Sequence, residues 1–167
     1  MIKLDLQYDI DKIRNELEIL VQEYIYYYDL IGQVLIQSPN GDNWTDIRAP
    51  YKIHPDLREW DFKKPNTPDD WEMTRFMLET GVCRTRILKL EPRQCYTWHH
   101  DVGHRIHLAV NTHESCFFIE DGKMLHIPSD GYPYKVDVNN YHTALNGSND
   151  VVRTHLVGVI RDEAMEC

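Results

Sequence analysis

No apolar run in this 167-residue chain approaches the ~20 residues that a membrane-spanning helix needs. Its opening stretch, MIKLDLQYDIDKIRNELEIL, has acids throughout and no small-residue cleavage site, so it does not read as a signal peptide. Cysteine is scarce, and Cys83, Cys95, Cys116 and Cys167 show neither CxxC pairing nor zinc-ribbon spacing. Reduced structural thiols and a cytoplasmic compartment are the expectation. Basic charge is in deficit: 18 Lys and Arg against 27 Asp and Glu give a formal net charge of −9. That balance argues against a phosphate-tracking nucleic-acid surface, although a local Arg can still reverse the field inside a cleft. Internal repeats, low-complexity tracts and a second-domain linker are also missing, so one domain with a substantial core is expected.

What is present divides at about residue 83. Ile10, Ile13, Leu17, Leu20, Val21 and Tyr24 recur at helical spacing and predict an amphipathic helix over 9–30. Residues 38–67 carry turn formers, prolines and aromatics with little periodicity; so long an irregular segment suits the rim of a site. Trp44, Arg48 and Tyr51 are its candidates for touching a substrate. A second helix is predicted at 68–80, capped by Thr67, with Pro68 in its first turn and Gly81 at its end. Beyond it the pattern turns to short strands: 84–90, 95–101, 104–111, 115–120, 123–127, 134–138, 141–146 and 151–160. Asp121-Gly122 is the strongest hairpin signal. The expected fold is α+β but mainly β: an eight-stranded double-stranded β-helix (jelly roll, cupin-like) over 84–160, under an N-terminal cap of helices and loop over 1–83.

Four residues carry the chemistry. His99 and Asp101 stand two apart, so on a strand they point the same way and can grip one ion. His142 follows 41 residues after Asp101, and Arg153 a further 11 on. Two imidazoles and one carboxylate with open positions are the donor set of non-haem Fe(II) oxygenases. A nearby Arg offers fork geometry for a co-substrate carboxylate. His100 should face away from His99, but a kink near Gly103 would hand it the ligand role. Five of the nine histidines fall between His99 and His113; His155 shares a strand face with Arg153 and could line a pocket.

The stretches RILKLEPRQCYTWHHDVGHRIHLAV and YHTALNGSNDVVRTHLVGVI resemble the aspartyl/asparaginyl β-hydroxylase family over roughly 84–160. The His-x-Asp variant is similar to the bacterial proline hydroxylases of that family. The resemblance implies a double-stranded β-helix that uses Fe(II), O2 and 2-oxoglutarate to hydroxylate an unactivated C–H bond, releasing succinate and CO2. It places the metal on His99, Asp101 and His142, the co-substrate on Arg153, and a further Arg-x-His pair on Arg105 and His107. A His-x-x-x-Asn motif falls on His142 and Asn146. Some relatives have Gly where this chain has Asp101, and the connection from His99 to Arg105 is shorter than theirs. The substrate expected is a free amino acid or an amino-acid side chain in a peptide. Two rivals remain: a metal-dependent cupin enzyme that needs no 2-oxoglutarate, and a non-catalytic jelly roll that binds a small molecule.

Overall fold

A computed structural model describes residues 1–43 and 45–160 of the chain. Trp44 and Cys167 lie outside the described residues. In chain order the elements are β1 (Ile2–Lys3), α1 (Ile10–Glu23), β2 (Gln33–Leu35), β3 (Gln37–Ser38), α2 (Pro50–Ile53), β4 (Lys64–Pro65) and α3 (Glu72–Thr80). The strands β5 (Cys83–Leu90), β6 (Gln94–Cys95), β7 (His104–Asn111), β8 (Cys116–Glu120), β9 (Lys123–Leu125), β10 (Tyr134–Asp137), β11 (His142–Asn146) and β12 (Arg153–Ile160) follow. These last eight form the expected jelly roll. One sheet runs β1-β10-β7-β12-β5-β2 and a second runs β6-β11-β8-β9. From β5 to β8 the chain switches sheet with every strand, which is how a double-stranded β-helix is wound.

Side-chain parity sorts the larger sheet into two faces. Ile106, Leu108 and Leu156 point outward into an apolar layer shared with Ile13 and Leu20 of α1 and Met73, Phe76 and Met77 of α3. Alternate residues point between the sheets, where Leu90, Ala109, Phe118, Val136, Val138 and Ala144 form a second core. The central strands are therefore buried on both faces, and β12 is buried along nearly its whole length. At Gly158 an added Cβ would lie 2.5 Å from Val82 Cβ.

Several expectations are corrected at the element ends. The first helix stops at Glu23, and Tyr27–Ile31 continue as a separate π-helical turn closed by Gly32 in the left-handed region. Asp9 caps α1 through its side chain. The second helix begins at Glu72 and not at 68, and Thr67 does not cap it. Its first amides instead donate to the Glu16 carboxylate of α1, at 2.6 Å from Glu72 and 2.9 Å from Met73. Segment 38–67 is less irregular than expected, holding α2, β4 and a 3-10 turn at Glu59–Asp61. Asp121 and Gly122 both have positive φ between the paired Glu120 and Lys123, as a tight two-residue hairpin requires.

Candidate metal centre

The second predicted strand is the most altered, and that alteration builds the centre. Only Gln94–Cys95 are regular strand, and pairing resumes at His99 opposite His142. Cys95 opposes Leu145, so four steps on one strand face three on the other. One residue among 96–98 is extra: a β-bulge. Tyr96 points into the cavity, so an unbroken alternation would have sent Trp98 and His100 inward. The bulge reverses the parity. His99 and Asp101 line the cavity while Trp98 and His100 are exposed. Trp98 stacks on Tyr141, and the His100 ring meets Tyr141 edge-on. The structure thus brings His99 to this position, not His100.

His99 and His142 exchange both backbone hydrogen bonds, at 3.1 and 2.8 Å, and their rings lie 4.4 Å apart. One ligand atom each from His99, Asp101 and His142 lie within 4.8 Å of one another, a group that could hold a metal ion. The second contacts suit that role. His99 Nδ1 lies 2.6 Å from the Thr97 carbonyl and His142 Nδ1 lies 3.0 Å from that of Asn140. Carbonyls only accept, so each Nδ1 carries the hydrogen and each Nε2 keeps its lone pair for a metal. Burial lowers the pKa of His142, which favours the neutral ring that coordination needs. Asp101 accepts from Arg105 Nη2 at 3.2 Å, and the same nitrogen reaches Glu59 at 3.3 Å.

These groups stand at the edge of a cavity of about 210 Å³ between the sheets. Arg153, Arg105 and His107 all line it, as does Arg86, which the sequence reading missed. Arg153 is 2 % exposed, and its hydrogen-bond partner is His155 Nδ1 at 3.3 Å. Among the described residues no carboxylate pairs with it, and burial pushes its pKa down to about 10. His107 and His155 are held well below the usual imidazole range, first by burial and then by Arg153. His107 Nδ1 and His155 Nε2 are buried and have no hydrogen-bond partner among the described residues. Asn146 bonds the carbonyls of Leu90 and Val151, closing the floor of the fold. A signal for Arg86 did exist: in β5 it shares the inward parity of Leu88 and Leu90, a charge where an apolar side chain belongs.

A second hollow, about 320 Å³, lies on the other side of Asp101 and Arg105. Segment 38–67 supplies Pro50, Tyr51, Leu57 and Trp60 to its wall, so this segment does reach the rim of the centre. Arg84 ties it down, donating to Glu59 and to the carbonyls of Ile47 and Arg48. Of the three rim candidates, Tyr51 lines this hollow; Arg48 is engaged by Asp46 at 2.6 Å.

No protein-family model matches the chain, and no curated protein matches it. Among solved structures, a predicted oxalate decarboxylase from Thermotoga maritima is 17 % identical with a TM-score of 0.37, over 52 % of this chain and 74 % of its own. KdgF from a Halomonas species is 18 % identical with a TM-score of 0.34, over 48 % and 72 %. A cupin-2 domain protein from Shewanella frigidimarina is 10 % identical with a TM-score of 0.35, over 46 % and 70 %. The jelly-roll assignment itself rests on the strand order described above. Among the described residues, no helix is long and apolar enough to cross a membrane.

Proposed function

We propose that this protein is an Fe(II)/2-oxoglutarate-dependent dioxygenase that hydroxylates a free amino acid or an amino-acid side chain in a peptide. One observation carries the reading: a His-Asp-His donor set stands at the edge of a cavity whose wall holds a buried guanidinium that meets no carboxylate among the described residues. Two neutral nitrogens and one carboxylate suit Fe(II) and leave coordination positions open. Arg153, with no carboxylate partner among the described residues, suits the distal carboxylate of a diacid, because a buried charge left uncompensated is costly. The resemblance of 84–160 to the aspartyl/asparaginyl β-hydroxylases points the same way.

Iron with 2-oxoglutarate and O2 supplies, when bound, the oxidising power to put hydroxyl on a C–H bond, with succinate and CO2 as co-products. This chain's residues hold and shield that chemistry. His99, Asp101 and His142 would hold the ion, with backbone carbonyls fixing both rings. Arg105 keeps Asp101 oriented, and Arg153 would receive the distal carboxylate. Phe118, stacked on His142, and Val138 line the cavity with apolar surface that keeps water from the reacting groups.

The deciding experiment is succinate formation from 2-oxoglutarate by iron-loaded protein, screened across free amino acids and short peptides. Turnover that disappears in His142→Ala and Asp101→Ala is expected. Folded, iron-replete protein that shows neither coupled nor uncoupled turnover overturns the proposal. Metal-dependent catalysis indifferent to Arg153 would favour an enzyme that needs no 2-oxoglutarate.

A further inference from the structure

The cavity holds more positive charge than one diacid requires. Arg86 projects into it from β5, opposite Val157 of β12, whereas Arg153 stands opposite Leu90. Four residues of strand separate the two rows, roughly 13 Å at the usual rise. Both guanidinium charges act on Tyr96 and His107, and Arg86 in addition feels Arg84, Arg105, Glu59 and Asp101.

Arg86 is also poorly satisfied. Among the described residues its side chain makes one hydrogen bond, Nη1 donating to Gln33 Oε1 at 3.3 Å, long for a charged donor, and its buried Nε has no partner there. The neighbouring acids are taken, because Glu59 bonds Arg84 and Arg105 while Asp101 bonds Arg105. Among the described residues Arg86 has no carboxylate. Gln33, on the edge strand β2 beside Leu88, meets the guanidinium, and both side chains line the cavity.

We infer that Arg86, steadied by Gln33, binds a free carboxylate of the substrate, so that the substrate is a small free acid such as an amino acid and not a residue within a peptide chain. This rests on the dioxygenase reading, in which Arg153 serves the co-substrate and Arg86 is left for a second anion. Arg86 acts as a specificity-determining residue: it donates hydrogen bonds to the substrate and takes no part in the oxidation.

The test uses Ni(II)-loaded protein with 2-oxoglutarate, probed by calorimetry with the free L-amino acids, their C-terminal carboxamides and short peptides capped at both ends. At least one free acid should bind about thirty-fold or more tighter than its carboxamide, the scale of a lost charge-assisted contact. Arg86→Gln should shrink that ratio to about three-fold or less while leaving 2-oxoglutarate affinity within about three-fold. Arg86→Lys should retain part of the preference. Ligand-free Arg86→Gln should melt no lower than the parent, a result that a purely structural Arg would not give. The inference is overturned if acid and carboxamide bind alike, if capped peptides alone bind, or if nothing in the panel binds. It is also overturned if Arg86→Gln weakens 2-oxoglutarate as much as Arg153→Gln does. Failure of the underlying reading looks different: the parent would not bind 2-oxoglutarate, yet an Arg86-dependent preference for acids would persist.

Discussion

A guanidinium that is 2 % exposed and, among the described residues, hydrogen-bonds an imidazole and no carboxylate costs the empty fold stability. Burial pushes the Arg153 pKa down to about 10, a penalty on the charged form. Arg153→Met should therefore raise the ligand-free melting temperature while weakening 2-oxoglutarate binding roughly ten- to a hundred-fold. Calorimetry on Ni(II)-loaded parent and variant checks both signs; a variant that is destabilised and binds normally would make Arg153 structural. The metal ligands make a second prediction at this scale. Protons compete for imidazole lone pairs, so Ni(II) affinity should fall steadily as pH drops from about 7.5 towards 5. A flat affinity across that range would remove the histidines from the ligand set. His99, Asp101, His142 and Arg153 were legible in the sequence because residue type and spacing carry their chemistry. Arg86 was overlooked: its parity with Leu88 and Leu90 becomes a signal only once the sheet is known to be covered on both sides, because Arg84, Arg86 and Lys89 together read as a solvated face. The choice between His99 and His100 also needed the partner strand.

Strand boundaries were legible where alternation was clean, and β7 matches its predicted range 104–111 residue for residue. They failed where pairing was decided from outside the segment. The bulge at 96–98 exists because β11 fixes His142 opposite His99, a long-range constraint with no local signature. The start of α3 is a similar case. Thr67 looked like a cap from its place before Pro68, but its hydroxyl bonds Thr74, and Glu16 takes the helix amides from 56 residues away. Glu16→Ala would leave the amides of Glu72 and Met73 buried without acceptors. A loss of about 1–3 kcal/mol in urea unfolding is expected. Because α1 and α3 cover the outer face of the sheet, Ni(II) affinity should not change. An equal loss of metal binding would show that the helical layer and the centre are coupled.

The molecule stacks a helical layer on a sheet whose opposite face carries basic and imidazole groups into the cavity. This arrangement makes the fold sensitive to acid in a direction that can be worked out. His107 and His155 are held well below the usual imidazole range, by burial first and the Arg153 charge second. Their folded pKa values are thus depressed relative to the unfolded chain, where imidazole titrates near about 6.5. Above that pH both states hold these rings neutral and the full stability is present. Below it the unfolded chain takes up protons that the folded chain refuses, so stability is lost as pH falls. The slope approaches about 1.4 kcal/mol per pH unit for each such histidine. Urea midpoints should accordingly hold level from about pH 8 to 7 and drop between about 6.5 and 5. His155→Gln is the sharpest probe, because His155 is outside the His99, Asp101 and His142 group yet touches Arg153. Replacing it should remove about one proton from the pH dependence, whatever it does to absolute stability. An unchanged slope would mean that His155 is charged in the folded protein. A charged ring hydrogen-bonded to a buried guanidinium would in turn require a nearby anion, and the electrostatics of the cavity would have to be redrawn around it.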